Sequence, residues 1–224
     1  MEKLRLALLT ITFSSVFCIF VKTILSPPPD KFPPTPFIFP TAVPLPEWQF
    51  KTSDSLAPSS KNSSYFAAKH YQYTRNDQTL DIKMWYVLNT NGDIQSFIHN
   101  YFSKPQPANR VSLVLHQQPG IGYSALFTHQ RQAYLSSCIN SHGNSTATVP
   151  QFRHNRYTYD LFDLRLKERI IPWLQGQVSV LDNRCIWVSL SVSAQNASLE
   201  TKYQILKKAW SSWYQWWSPR FPQP

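Results

Sequence analysis

Apolar positions along this chain recur with two periods, every second residue or every third to fourth, and the switches between them mark its elements. Thr79 to Asn89 (TLDIKMWYVLN) alternates Leu80, Ile82, Met84 and Tyr86 against Asp81, Lys83 and Trp85, the pattern of a half-exposed strand. The Tyr-rich Tyr65 to Arg75 suits a second strand, and Asn76-Asp77 between the two predicts a hairpin turn. Asn91-Gly-Asp93 marks another turn. Ile94, Phe97, Ile98 and Tyr101 after it are spaced for a short amphipathic helix, which Lys104-Pro-Gln-Pro107 ends. Val111 to Leu115 reads as a strand, Gln118-Pro-Gly-Ile-Gly122 as a turn, and Tyr123 to Arg131 as extended again. Ala133 to Asn140 follows, then a polar loop, Asn140 to Ser145, and a basic irregular stretch, Phe152 to Arg156.

From Tyr159, the residues Leu161, Phe162, Leu164, Leu166, Ile170 and Ile171 predict a helix running to Pro172. Leu181 to Ser191 opens on a polar cluster. It then alternates Ile186, Val188 and Leu190 (with Val192 beyond) against Trp187, Ser189 and Ser191, as a strand does. A last helix begins near Ala197. Its stripe is Leu199, Tyr203, Leu206, Trp210, Trp213 and Trp217, and Ser218-Pro219 stops it. The pattern predicts an α+β domain with a mostly antiparallel sheet and a few helices over residues 65–217, followed by a tail over 218–224, with no internal repeat.

The N-terminal part follows a different pattern. After the basic start at Lys3 and Arg5, Leu6 to Val21 carries no charge, and Thr23-Ile-Leu25 extends it past Lys22. The uncharged part covers about 24 Å as a helix, somewhat short of a membrane, and snorkelling of Lys22 lets the span reach Leu25. A cleaved signal peptide is the rival reading. It needs small residues at −3 and −1 of the cut, whereas a cut after Ser26 puts Ile24 at −3 and Pro27 just beyond it. Phe17 before Cys18 does not suit lipoprotein processing. Residues 1–25 are therefore expected to be a transmembrane signal-anchor, with Cys18 one more apolar residue in it. The basic start would stay cytoplasmic and the domain would face outward, placing a single-pass protein in the plasma (inner) membrane. Ser26 to Pro46 holds nine of the 18 prolines, which favours polyproline II, and residues 26–64 read as a Pro/Ser-rich linker. Pro33-Pro-Thr-Pro36 matches a PxxP ligand, but Lys31 is the only basic residue near it, and a spacer is the better reading.

Aromatic residues make up 15% of the chain, with eight Trp, enough to fill the core of a mid-sized domain. The net charge of +10 suits an anionic partner such as lipid headgroups or an acidic polysaccharide; plain solubility and a positive-inside bias account for it equally well. No nucleic-acid partner is expected. Trp210, Trp213, Trp216 and Trp217, with Lys202, Lys207 and Lys208, could form a membrane or partner surface. Otherwise the helix docks on the sheet through aromatic knobs. Adjacent Trp216 and Trp217 cannot both face one core.

Candidate chemistry narrows to two cysteines. Outside the cytoplasm, Cys138 and Cys185 in one domain more often pair than react, and a loop of this size is worth roughly 4 kcal/mol in the chain-entropy model. Two other readings stay open: unpaired structural cysteines, and a thiol enzyme using Cys138 or Cys185 with a His and an Arg. Arg184 could lower a thiol pKa, but neighbours on a strand point to opposite faces. The six histidines, His70, His99, His116, His129, His142 and His154, show no metal-ligand spacing, and there is no glycine-rich phosphate loop or GxSxG elbow. No catalytic residue, cofactor or metal is expected. Three N-glycosylation sequons, at Asn62, Asn144 and Asn196, carry meaning only in a eukaryotic secretory setting.

Ala133-Tyr-Leu-Ser-Ser-Cys-Ile-Asn140, Ser145-Thr-Ala-Thr148, Gln151-Phe152, Trp173-Leu-Gln-Gly-Gln177 and Asp182-Asn-Arg-Cys-Ile-Trp187 together resemble the cyanoexosortase A system-associated protein family. The residues that carry the resemblance are Tyr134, Leu135, Asn140, Thr146, Gln151, Phe152, Trp173, Gly176, Asp182, Arg184 and Trp187. It covers roughly Tyr65 to Ser193. What it implies is a non-enzymatic accessory component of an exosortase-type protein-sorting and exopolysaccharide export system, acting by protein–protein contact at the membrane. The partner implied is a multi-span exosortase, which would hold the transpeptidase residues itself. An anchored binding module for anionic glycan, with an anionic polysaccharide as partner, is the remaining alternative.

Overall fold

The computed structural model describes residues 2–25, 37–56, 65–102, 111–160, 181–194 and 197–222. Two compact units divide the chain: Met1–Pro34 with Arg156–Asp182, and Thr35–Asn155 with Asn183–Pro224. In the first unit, α1 (Glu2–Leu25) is one continuous helix. The hydroxyls of Thr10, Thr12 and Ser15 donate to the carbonyls of Leu6, Leu8 and Ile11, so each is satisfied within the helix. Leu6, Leu9, Phe13 and Val16 are all exposed. Among the described residues no helix is long and apolar enough to cross a membrane, so the transmembrane span expected over residues 1–25 is unsupported. A single π-helical turn at Arg156–Asp160 also belongs to this unit.

The second unit is built on a sheet of seven strands. These are β1 (Gln49–Ser55), β2 (Tyr65–Arg75), β3 (Gln78–Val87), β4 (Val114–Gln118), β5 (Gly122–His129), β6 (Gln132–Asn140) and β7 (Cys185–Ser193). Their order is β1-β2-β3-β7-β6-β5-β4, with every neighbouring pair antiparallel. Two three-stranded meanders thus flank β7, which enters last and closes the middle. β7 is buried on both sides, so its run Ile186 to Val192 has no solvent face. The α+β class with an antiparallel sheet is what the alternation predicted.

One face of the sheet carries Tyr71, Tyr73, Leu80, Ile82, Met84, Leu135, Ile186, Val188 and Leu190 and packs against α4 (Leu199–Trp217). Ser198 caps that helix, accepting from Thr201 N at 3.1 Å. Trp210, Trp213 and Trp217 are each no more than 1% exposed. They are therefore not a membrane or partner surface; the docked-helix alternative is the one the fold uses, because this stripe buries itself against the tyrosines and aliphatic residues of the sheet. Trp216 is half-buried at the margin of the same core, against Trp217 and under Arg220, which lies 4.5 Å from its ring. The other face carries Ala68, Trp85, Val87, Ala125, Phe127, Cys138, Cys185 and Trp187, and packs against α2 (Ile94–Phe102) and Phe152 of α3 (Val149–Asn155). Asp93 caps α2, accepting from Gln95 N and Ser96 Oγ.

Several expected boundaries move. Residues 37–56 are part of the domain and not linker: Phe39, Val43 and Leu45 are buried in the α4-side core, and β1 pairs with β2. Tyr71 and Tyr73 donate their hydroxyls to the carbonyls of Pro40 and Val43 at 2.8 and 2.7 Å, clamping this segment to the sheet. Burial pushes both phenols well above their ordinary pKa. The tail is also folded, since a 3₁₀ turn at Ser218–Arg220 delivers Phe221 into the same core. The stretch Phe152 to Arg156, expected to be irregular, instead falls largely in a helix, Val149–Asn155, whose first turn Gln151 fixes by accepting from the N–H groups of Ala147 and Thr148. β4 begins three residues later than expected. The linker residues 26–36 and 57–64, and most of the helix expected between Tyr159 and Pro172, lie outside the described residues.

Candidate functional site

The two cysteines lie on neighbouring central strands. In the β6–β7 register Asn140 faces Cys185 and Cys138 faces Trp187, so the cysteines are diagonal neighbours on one face. They form a disulfide, with Cα atoms 5.7 Å apart and both residues fully buried. Neither sulfur is left as a thiol, so the thiol-enzyme alternative has no nucleophile in this domain. Trp187 stacks on Trp85 (4.1 Å between centroids) and on Phe97 (5.1 Å), and its indole N–H donates to Ser136 Oγ at 2.6 Å.

The residues that carry the family resemblance build a polar frame beside this disulfide. Beside the start of β5, Thr146 bridges to β6, exchanging both backbone hydrogen bonds with Cys138 at 2.8 and 3.0 Å. Thr146 Oγ1 donates to Asn140 Oδ1 at 3.3 Å, and the Asn140 and Asn155 amides both donate to the Asn144 carbonyl. Gln151 Oε1 accepts from the N–H groups of Ala147 and Thr148, which fixes the first turn of α3. This turn aims Phe152 at Gly92, where a Cβ would lie 2.5 Å from its ring. Gly122 has φ +112°, and a Cβ there would lie 2.3 Å from the Ser145 carbonyl oxygen, so only glycine lets the chain cross at that point.

Three of the expected residues lie apart from this frame. Tyr134 stacks on Phe127 at 5.0 Å, with its pKa raised by burial and by the Asp81 charge. Leu135 faces the α4 side. Arg184 also turns away from Cys185, donating to Tyr86 OH at 3.1 Å and to the Pro222 carbonyl at 2.9 Å. Arg184 and Cys185 thus serve opposite faces of the sheet, and Arg184 does not act on the sulfur. Asp182 is buried and belongs to the first unit, while Trp173 and Gly176 lie outside the described residues. The polar end of the disulfide-bearing face holds a His70–Asp81 pair at 2.8 Å, with Gln72 donating to the same oxygen at 3.2 Å. No cluster of three metal-ligating side chains occurs among the described residues.

A second feature has almost no local signal in the sequence. A groove of about 230 Å³ runs between the turn Pro46-Glu47-Trp48, the end of β2 at Arg75, and one face of α4. The turn is closed by Trp48 N donating to the Leu45 carbonyl at 3.2 Å, with Pro46 second and Glu47 third at φ +67°. This is the type II pattern, which favours glycine at the third position, yet glutamate stands there. Arg75 lies 4.7 Å over the Trp48 ring and donates to Gln78 Oε1 and Glu47 Oε2 at 2.9 and 3.0 Å. Lys208 of α4 donates to the other Glu47 oxygen. That hydrogen bond and the Lys208 charge, with Arg75 adding to them, hold the Glu47 carboxyl below its ordinary pKa. Proline at position 46 was the one local signal of the turn; the cations that converge on it come from residues 75 and 208. No protein-family model, curated protein or solved structure matches this chain.

Proposed function

We propose that this chain is a membrane-anchored accessory component of an exosortase-type sorting system, working by contact with the exosortase. The observation that carries the reading is the convergence of the resembling stretches. Ala133–Asn140, Ser145–Thr148, Gln151-Phe152 and Cys185–Trp187 are separated by up to dozens of residues in the chain. In the fold they surround one disulfide and are joined by hydrogen bonds and ring stacking. Residues used in this way hold a shape and present no reactive group, as a docking component requires. The disulfide suits an oxidising, extracytoplasmic setting. The exposed apolar residues of α1 suit attachment at a membrane, though not a span across it.

Chemical crosslinking of native membranes, followed by purification of this chain and mass spectrometry, tests the proposal. The expected outcome is recovery of a multi-span exosortase at levels well above those of unrelated membrane proteins. Quantitative release of the chain by alkaline carbonate washing, or the lack of any exosortase among its crosslinked partners, would overturn it.

A further inference from the structure

We propose that β4 is a self-association edge, along which a second copy of this chain adds its own β4 antiparallel and joins the two seven-stranded sheets into one. The inference does not rest on the exosortase assignment.

The two edges of the sheet differ in how they are protected. β1 carries the devices that keep an edge strand from pairing: its register slips between Phe50 and Thr52, and it bears Lys51 and Asp54. The segment before it is tied to it as well, since Ser53 Oγ donates to the Thr41 carbonyl at 2.6 Å. β4 has none of these. Val114-Leu-His-Gln-Gln118 holds no Lys, Arg, Asp or Glu and no proline, and its register with β5 runs without a shift. β5 is its one neighbour in the sheet, so its outer row of N–H and C=O groups has no strand partner among the described residues.

The side chains of this edge select the occupant. Val114 is 62% exposed and Leu115 50%, the one adjacent pair of exposed large apolar residues among the described residues of the second unit. Paired with Leu126 and Ala125 of β5, they stand on the α4 face and the disulfide face respectively. An added strand therefore has to offer apolar residues on both faces, and β4 itself does. Antiparallel pairing of two copies about Leu115 sets the two Leu115 side chains opposite each other on one face. On the other face it sets each Val114 opposite the second copy's His116. Burial and the Lys207 charge hold His116 below its ordinary pKa, so it is neutral at pH 7 and no like charges oppose each other within the ladder. Two copies that each carry a net charge of +10 repel at long range, and contact between them is least opposed along an uncharged strand. One strand on one strand is small beside the roughly 1,200 Å² of a stable interface, so the expected Kd is weak, on the order of 100 μM.

Sedimentation equilibrium of the full chain in mild detergent, from about 5 to about 500 μM, tests the proposal. A monomer–dimer equilibrium is expected, tightening as salt screens the two net charges. Leu115→Lys is expected to weaken it by about tenfold or more while leaving the thermal midpoint unchanged, because the side chain it replaces is half exposed. Crosslinking gives a second measure. With Cys18→Ser removing the free thiol, Leu115→Cys is expected to join two copies on mild oxidation, since facing residues of an antiparallel pair lie within disulfide reach. Lys51→Cys on β1 is expected to stay monomeric. A monomer at every concentration would leave the edge to an extended segment of another protein and overturn the proposal. Association that Leu115→Lys leaves intact, or that weakens with salt, would place the contact elsewhere on the chain. Equal crosslinking from Lys51→Cys would mean that the copies meet only by collision.

Discussion

Asp81 shows how one residue's surroundings set a solution property. Burial works to raise its pKa, but hydrogen bonds from His70 and Gln72, together with the His70 and Lys83 charges, outweigh burial and leave it below its ordinary value. A carboxyl depressed in the folded state stabilises the fold above its unfolded pKa, and this contribution is lost as pH falls through the folded pKa. Asp81→Asn is expected to flatten the acid limb of stability, measured as the urea midpoint between about pH 5 and pH 2. An unchanged acid limb would mean that the pair contributes nothing. His116 is shifted downward by burial and by the charge of Lys207, so its contribution falls as pH drops below the ordinary histidine value. At this scale the sequence was a partial guide. The alternation of Asp81, Lys83 and Trp85 placed them together on one face, but that His70 lies beside Asp81 depends on the β2–β3 register. Gln130 and Arg131 were hidden for a related reason. Both take positive φ in a two-residue hairpin turn, although neither residue type signals one.

At the scale of elements, the disulfide joins β6 to β7 across 47 residues of sequence. In the chain-entropy model a closure of this length is worth roughly 4 kcal/mol, though native strain and residual unfolded structure usually lower the yield. Cys138→Ala with Cys185→Ala is expected to lose about 2–4 kcal/mol in urea unfolding. In the denatured chain a maleimide should label Cys18 alone before reduction and all three cysteines after it. Labelling of three thiols without reductant would refute the pairing. The elements with strong period were legible: the β2–β3 hairpin, α2, β7 and α4 stand close to where the pattern placed them. α3 was not, because its seven residues are too few to show a period and its start depends on the Gln151 amide reaching back to Ala147 and Thr148.

For the whole molecule, the decisive feature is the segment before β1. Residues 37–48 were expected to be spacer, since proline density blocks regular structure, yet Phe39, Val43 and Leu45 complete the core between the sheet and the end of α4. Phe37 and Phe39 pack edge-on against Trp217, at 6.3 and 5.7 Å. Leu45→Ala is expected to cost about 2–4 kcal/mol in urea unfolding, as for a core leucine. A spacer residue would cost nothing measurable, and a loss below about 0.5 kcal/mol would return the segment to that role. The same segment supplies Glu47 and Trp48 to the groove, so core packing and the groove have one origin.

By itself the sequence determined the antiparallel α+β class, most strand positions, the aromatic stripe of α4 and the candidate cysteine pair. Each of these is written in local periodicity or in the chemistry of a residue type. Only the tertiary structure decided that β7 closes the sheet between two meanders and that the tryptophan stripe faces inward. It also decided that a proline-rich segment is core and that Arg75, Lys208 and Glu47 meet. Those outcomes depend on which distant surfaces bury one another, and a proline conceals this: it removes a hydrogen-bond donor without preventing its neighbours from packing.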